Sequence, residues 1–304
     1  MKLINSFFKI ILILLFCFLS INTVFAQKSE IRLRQAKKLK GVIINGKRVN
    51  KVLGNVIFEH NKTIMHCDSA YQYSQKNEIH AFGHVKVIQK KDNVTLYGDK
   101  LIYNGNTRLA KIRKNVRLVD KKLTLTTDFL DYDMKNKKAN YFEGGKIIDN
   151  EMTLTSILGY YDMKSDFYSF KDEVKVNHKD YQLVSDTLIY YTKTKITEFF
   201  GPTNIYSGTQ HLYAEKGKYN TSNKKSYFKN NAKIEDDDFT LIGDSIYFDN
   251  EKKEGYAYEN VSLFSKKDSV LITGNELYRW GEKGKSKVIG NSIMQKIEAK
   301  NTTY

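Results

Sequence analysis

A recurring carboxylate is the feature of this sequence that most resembles a chemical site. Aspartate occupies an equivalent place in five segments, and in three of them a tyrosine follows four residues later. The acids are Asp68, Asp99, Asp128, Asp186 and Asp244. One carboxylate or a close pair can act as a general acid or base, and several together can bind a cation. Which role applies depends on the elements that carry the acids.

The acids mark one column of an internal repeat of 29 to 31 residues. The same slot falls at residues 68, 99, 128, 157, 186, 215, 244 and 275. Three residues earlier the chain is apolar in every unit, at Met65, Leu96, Leu125, Leu154, Leu183, Leu212, Leu241 and Ile272. A second apolar column runs through Phe58, Val87, Leu118, Ile147, Val176, Ile205, Ile234 and Leu263. Such a period indicates a stacked repeat architecture.

Within each unit the apolar residues alternate with a period of two. The runs VRLV, LTLTT and LDYD place every second side chain on one face, as a half-buried strand does. Beyond residue 26 no stretch has helical spacing, and Pro202 is the single proline. The sequence therefore predicts an all-β fold.

Turn signals predict how the strands connect. Polar clusters at 120–122, 135–138, 149–151 and 164–166 are typical of hairpins. The segments between them are too long for ordinary strands and carry glycine near their middle, as in FGH, EGG, FGP, YGD and IGD. We expect a meander of bent antiparallel strands, two per repeat, whose halves face each other across an apolar trough. A parallel β-solenoid is the alternative.

The first 26 residues are predicted to be a secretory signal peptide, leaving 27–304 as a single repeat domain. Lys2 precedes an apolar run over residues 7–19, and Ala26 before Gln27 offers a cleavage site. The run is short for a permanent membrane anchor. After cleavage Cys67 is the one cysteine, so no intramolecular disulfide can form.

The net charge of +16 indicates an anionic partner. A dense basic patch spans residues 28–51, where Glu30 is the single acid. Export argues against nucleic acid. A phosphorylated glycolipid, a polysaccharide or a membrane surface fits the charge.

None of the polar clusters has the spacing of a catalytic or metal centre. A catalytic acid is needed once or as a close pair, whereas these recur, so we expect them to accept hydrogen bonds from backbone freed at the bends. His66 and Cys67 are neighbours on a strand and point to opposite faces, which argues against a zinc site. The acidic run at 235–238 is interpreted as a solvated hairpin. We predict a protein that is not an enzyme and has no metal or cofactor.

The ordered segments VLGNVIFEH, CDSAYQY, AFGHVKV, LYGDKLIY, LTTDFLDYD and YFEGGKI resemble the OstA/LptA-like (organic solvent tolerance A-like) proteins of lipopolysaccharide transport. The resemblance covers essentially all of the chain after residue 26. It implies an elongated, twisted β-jellyroll in the periplasm, associated in some cases with the outer membrane. Its interior would shelter the acyl chains of lipid A. It also implies strand-edge pairing with related jellyrolls of the inner- and outer-membrane components, and head-to-tail self-association. The array is longer than a minimal bridge protein of that family.

The apolar columns supply the predicted lipid contacts. The residues expected to line the trough are Leu96, Leu101, Leu118, Leu125, Leu130, Ile147, Leu154, Val176, Leu183 and Leu188. An ordinary closed core explains any one of them equally well. Two other functions remain open: a repeat-built surface or matrix protein that binds polysaccharide or protein partners, and, less favoured, a β-helical carbohydrate-active enzyme.

Overall fold

The computed structural model describes residues 29–162, 164–249, 251–252, 254–281 and 285–297. The predicted signal peptide lies outside these residues. The described chain is almost entirely strand, with one short 3₁₀ helix at Ser74–Lys76. No helix in the described ranges is long and apolar enough to cross a membrane.

Twenty-two strands follow one another along the part of the chain that the structure describes. They are β1 (Arg32–Gln35), β2 (Lys38–Ile44), β3 (Lys47–His60), β4 (Thr63–Tyr73), β5 (Glu78–Gln89), β6 (Val94–Asn104), β7 (Leu109–Val119), β8 (Thr124–Asp133), β9 (Lys138–Tyr141), β10 (Gly145–Ile148), β11 (Met152–Ser156), β12 (Leu158–Asp162), β13 (Phe167–His178), β14 (Gln182–Tyr191), β15 (Ile196–Ser207), β16 (Gln210–Asn220), β17 (Lys225–Glu235), β18 (Phe239–Asp249), β19 (Glu254–Ser265), β20 (Val270–Trp280), β21 (Lys285–Ile289) and β22 (Ile293–Lys296).

Consecutive strands pair as an antiparallel meander from β3 to β8 and from β13 to β20. Between these runs, β9 and β10 are two halves of one bent strand, and β11 and β12 are halves of the next. At the ends, β1 and β2 pair with the two halves of β3, and β21 and β22 with those of β20. All pairings of the described strands are antiparallel. The β-jellyroll prediction is confirmed, and the parallel solenoid is excluded.

A pair of left-handed residues marks the bend in alternate strands, namely β3, β5, β7, β13, β17 and β19. In β17 these are Asn230 (φ 60°) and Asn231 (φ 56°), and the register with β18 shifts across them. Two residues then oppose the single residue Asp244, which is a β-bulge, and the strand turns. Side chains from both halves, such as Leu96 and Leu101 of β6, therefore pack into one core.

A column of small residues lies on the inner side of the bends, and the sequence analysis did not recognise it. It immediately precedes the acid slot and runs through Cys67, Gly98, Thr127, Ser156, Ser185, Ala214, Gly243 and Gly274. A Cβ at Gly98 would lie 2.4 Å from Cγ2 of Ile112, and one at Gly274 would lie 2.4 Å from Cγ1 of Val288. The two layers converge here, so large side chains do not fit.

The core consists of two neighbouring clusters along the meander. The first extends from Ile31 to Leu188 and the second from Phe199 to Leu277. Ile205 packs against both. The sheet is continuous across this boundary, which agrees with a single repeat domain over 27–304, although that assignment stays a prediction.

Candidate functional site

The recurring acids lie at the outer side of the bends, opposite the left-handed residue pairs. Asp128 accepts a hydrogen bond from the backbone N–H of Asn115 (2.9 Å), as expected for an acid beside freed backbone. Asp99 and Asp244 differ: their carboxylates accept from side-chain amides, of Asn115 (2.7 Å) and Asn260 (2.8 Å) respectively. The hydrogen bonds of these acids connect the bends of neighbouring strands. The carboxylates do not converge on a common centre.

His84 and Cys67 lie in separate local environments and do not form a common site. Nδ1 of His84 lies 2.7 Å from Oδ2 of Asp68, and this hydrogen bond, with the charge of Asp68, raises the pKa of His84. Cys67 is buried, and burial raises the pKa of its thiol to about 12, which keeps it protonated. The part of the chain that the structure describes contains no group of three or more His, Cys, Asp or Glu side chains that could hold a metal ion.

The ten residues predicted to contact lipid all lie in the first core cluster. Their exposed fractions range from 0% at Leu130 to 6% at Leu125 and Ile147. Both layers contribute them, so the structure brings the predicted set into one apolar interior. Their contact with lipid stays a prediction.

A cavity found in this interior is small in the present conformation. A cavity of about 30 Å³ lies between Leu118, Leu125, Leu130 and Ile147, with Tyr141 on its wall. That volume is about the share of one water molecule in the liquid. An acyl chain needs more room, so binding requires the two layers to separate.

The layers meet along a polar seam on the side away from the bends. We define the seam by three contacts between hairpin ends of opposite layers. They are Tyr103 Oη to His60 Nδ1 (2.7 Å), Tyr132 Oη to Gln89 Oε1 (3.1 Å) and Lys137 Nζ to Asp92 Oδ1 (2.6 Å).

Burial keeps the first seam contact neutral. Burial lowers the pKa of His60, and the nearby positive charge of Arg108 lowers it further against a hydrogen bond to the Ser29 carbonyl. Burial raises the pKa of Tyr103 to about 12. The contact is therefore a hydrogen bond between uncharged groups, which two separating layers can exchange for bonds to water.

The seam contacts concentrate in the amino-terminal half of the described chain. The same tyrosine column continues through Tyr161, Tyr190 and Tyr219, which are only partly buried. Within the described residues none of these three makes a hydrogen bond to the opposite layer. The sequence revealed the tyrosine column but not its partners, since each partner lies more than one repeat away.

A second aromatic feature lies on the outer face of β17 to β20. Tyr227 pairs with Tyr247, Tyr247 with Tyr256, and Tyr256 with Tyr278. Successive ring centroids are 5.8 Å apart for Tyr247 and Tyr256 and 5.2 Å for Tyr256 and Tyr278. We call these four residues the tyrosine ladder. It was not predicted, because the apolar columns that reveal the repeat occupy the inward-facing positions.

Comparisons with known proteins identify the family. No curated protein matches this chain. Among solved structures, the chain is similar to LptH, the LptA-homologous periplasmic component of the lipopolysaccharide transport device from Pseudomonas aeruginosa. The identity is 14%, the match covers 36% of this chain and 82% of LptH, and the TM-score is 0.33. The family described as OstA-like protein matches residues 28–186 and 183–244. The chain therefore belongs to the OstA-like protein family.

Proposed function

We propose that this OstA-like protein is a non-enzymatic periplasmic carrier or bridge that binds lipopolysaccharide during its transport to the outer membrane. The observation that carries the proposal is the apolar interior shared by the two layers, in which all ten predicted lining residues are buried. Membership in the OstA-like family supports it.

Acyl chains suit this interior because burial alone stabilises them, by about 0.8 kcal/mol for each CH₂ removed from water. Opening must first break the seam. Each neutral hydrogen bond there contributes about 0.5–1.5 kcal/mol net. A chain of several buried CH₂ groups therefore offsets the loss of the hydrogen bonds of Tyr103 and Tyr132, provided that the layers can rotate apart at the bends.

The two ends of the meander supply the proposed protein contacts. In the described residues β1 and β2 pair only with β3, and β21 and β22 only with β20. Apolar side chains are exposed at both ends, including Ile43 (79%) and Met294 (70%). Unpaired edges can add strands from another sheet. The proposed partners are related β-jellyrolls of the inner- and outer-membrane components, and a second copy of this chain.

Site-specific photocrosslinking tests the proposed lipid contacts. A photoreactive phenylalanine analogue would replace Leu125, Leu154 or Leu183 in separate variants. Each is expected to form a crosslink with lipopolysaccharide, detected as a shifted band that reacts with an antibody to the lipopolysaccharide. Val184, which faces outward and is 42% exposed, is the matched control beside Leu183 and should give no such band.

Folded interior variants that give no crosslink at saturating lipopolysaccharide would refute the lipid carrier. Equal crosslinking from Leu183 and Val184 would show that the lipid coats the surface without entering. Circular dichroism before irradiation establishes that each variant retains its strands.

The tyrosine ladder favours a second candidate function, a surface or matrix protein that binds polysaccharide. Exposed aromatic faces can stack on sugar rings while their hydroxyl groups form hydrogen bonds. In affinity electrophoresis, Tyr247→Ala and Tyr256→Ala would then release the protein from a polysaccharide gel. Tyr206→Ala is the control, since Tyr206 is 45% exposed and stands outside the ladder. Retention that depends on the ladder but no interior crosslinking would favour this candidate.

A further inference from the structure

A groove on the outer face of β5 to β7 belongs to neither proposed function. Its volume is about 290 Å³. It is lined by His80, Phe82, Lys100, Ile102, Lys111 and Arg113, with Leu101 between two of them on β6. Cross-strand register places His80, Ile102 and Lys111 in one row and Phe82, Lys100 and Arg113 in the next. We call this space the β6 groove.

The β6 groove lies outside the lipid-binding interior. Leu101 and Ile112, which alternate with the groove residues along β6 and β7, are buried at 1% and 0% exposure. Successive side chains of a strand point to opposite faces. The groove therefore faces solvent on the other side of the sheet from the core.

Cations outnumber the acids around this groove, where Asp131 stands opposite Lys111 and pairs with Arg113. Lys100 stands directly opposite Arg113, and like charges in that position destabilise a sheet. Among the described residues neither Lys100 nor Lys111 makes an ion pair. Arg113 is already engaged, since its Nη2 lies 2.6 Å from Oδ1 of Asp131. Two ammonium groups thus remain available at the rim, where an anion would relieve their repulsion.

Phe82 and Ile102 form the apolar part of the groove wall, and neighbouring contacts hold its polar side chains in place. The Arg113 guanidinium lies 5.7 Å from the ring centroid of Phe129 and 5.3 Å from that of Phe142, and it donates to the Leu130 carbonyl (2.9 Å). Ile102 is 42% exposed in the middle row. His80 is held by a 2.8 Å contact with Glu78. A ligand would meet a ring-sized apolar surface with cations at its edge.

A second pair of opposed cations, on β16 and β17, shows how neighbouring aromatic rings can stabilise such charges. Lys216 stands opposite Lys229 on β16 and β17. There, however, each ammonium lies over an aromatic ring, 5.3 Å from Phe200 and 5.4 Å from Tyr227. No ring contact of this kind involves Lys100 or Lys111 in the described residues. Lys216 and Lys229 therefore correspond to the directly opposed Lys100 and Arg113, and the two sites differ in that Lys100 has neither a ring nor an acid as a partner in the described residues.

We propose that the β6 groove binds a phosphorylated saccharide. The phosphate would accept charge-assisted hydrogen bonds from Lys100 and Lys111, which are stronger than neutral ones. The sugar ring would pack its C–H face against Phe82, Ile102 and the His80 ring. This inference does not depend on lipid binding in the interior.

Titration calorimetry and amide chemical-shift mapping with glucose 6-phosphate, inorganic phosphate and glucose test the proposal. Glucose 6-phosphate should bind, shifting amides of β5 to β7, and should bind more tightly than either fragment. The double variant Lys100→Gln/Lys111→Gln should bind at least about tenfold more weakly, the effect of losing 1.4 kcal/mol of charge-assisted hydrogen bonding. The control Lys216→Gln/Lys229→Gln removes the same charge and should bind like the unaltered protein.

Three results would overturn the assignment. If both double variants bind glucose 6-phosphate equally weakly, then the loss of affinity reflects net charge alone and not the groove. Equal affinity for glucose and glucose 6-phosphate would exclude phosphate recognition. Equal affinity for inorganic phosphate and glucose 6-phosphate would exclude a role for the sugar ring.

Competition identifies the source of the phosphosugar. Displacement of glucose 6-phosphate by lipopolysaccharide, but not by dephosphorylated lipopolysaccharide, supports recognition of a glycolipid headgroup or core sugar. Resistance to both supports a free or polymeric phosphosugar. Because the readout lies on β5 to β7 and the crosslinking sites lie in the interior, failure of either proposal leaves the other measurable.

Discussion

At the bends, an exposed histidine and a carboxylate form a pair whose charge state depends on pH. The hydrogen bond that His84 donates to Asp68, followed by the charge of that carboxylate, holds the pKa of His84 above its ordinary value of 6.5. A raised folded-state pKa stabilises the fold most below the unfolded value. That contribution disappears as the pH rises through the folded pKa. Both side chains are largely exposed, so the energetic effect is small.

The titration of His84 by NMR checks this directly. We expect its midpoint above 6.5 in the unaltered protein and close to 6.5 in Asp68→Asn, which keeps the shape but removes the charge. An unchanged His84 midpoint in Asp68→Asn would show that the pair does not form in solution.

The hydroxyl groups of the buried seam tyrosines make hydrogen bonds across the layers, whereas that of the partly buried Tyr190 does not. Tyr103→Phe leaves His60 without its 2.7 Å partner in a buried site, which should cost about 1–3 kcal/mol of unfolding free energy. Tyr190→Phe is the matched control in the same column, since the Tyr190 hydroxyl makes no hydrogen bond in the described residues, and should change stability little. Urea unfolding of both variants measures the difference. Equal midpoints would contradict a hydrogen-bonded seam.

The strands show how far the sequence alone could specify the elements. Period-two alternation and polar turn clusters located the hairpins, including those before β9, β11 and β13. Bends that carry glycine, such as Gly83 and Gly201, were located too, because glycine adopts positive φ without strain. Bends made by Lys114–Asn115 and Asp172–Glu173 lack that signal. There the surrounding sheet imposes a conformation that local propensity does not favour.

Glycines on the inner side of the bends differ in how much room they leave for a larger side chain. An alanine Cβ at Gly98 would lie 2.4 Å from Cγ2 of Ile112, whereas one at Gly243 would have its nearest neighbour at 3.4 Å. Overpacking of this kind costs about 1–3 kcal/mol. Thermal or urea unfolding should therefore show Gly98→Ala clearly destabilised and Gly243→Ala close to the unaltered protein. Equal effects would mean that the bend relaxes freely at both places.

At the scale of the whole molecule, contacts between the layers determine whether the interior is accessible. The sequence predicted the ten interior residues because burial follows the repeat. It did not predict the closed interior or the seam, because those depend on how the layers meet in space. Tyr132 and Gln89 are 43 residues apart, as are Tyr103 and His60 one repeat earlier, so the seam joins two different columns and only the folded structure shows that they meet. The β6 groove was missed for a similar reason, since its residues lie on three strands of the outer face.

If lipid enters between the layers, the seam must open when lipopolysaccharide binds. A carbodiimide joins an amine to a carboxylate in direct contact, and Lys137 Nζ lies 2.6 Å from Asp92 Oδ1 across the seam. We expect mass spectrometry to detect this amide in the free protein and to find less of it with lipopolysaccharide bound. Lys193 and Asp166, 2.9 Å apart, connect neighbouring hairpins of the same layer and provide the internal control.

The ratio of the two crosslinks separates opening from other effects. Lipopolysaccharide that merely shields carboxylates from the reagent would reduce both crosslinks together. Loss of the seam crosslink with the control retained requires the hairpin ends that carry Asp92 and Lys137 to move apart. If both crosslinks persist at saturating lipopolysaccharide while Leu125 still crosslinks to lipid, then acyl chains enter elsewhere. The carboxy-terminal half, where Tyr190 and Tyr219 make no hydrogen bond across the described layers, would then be the entry site.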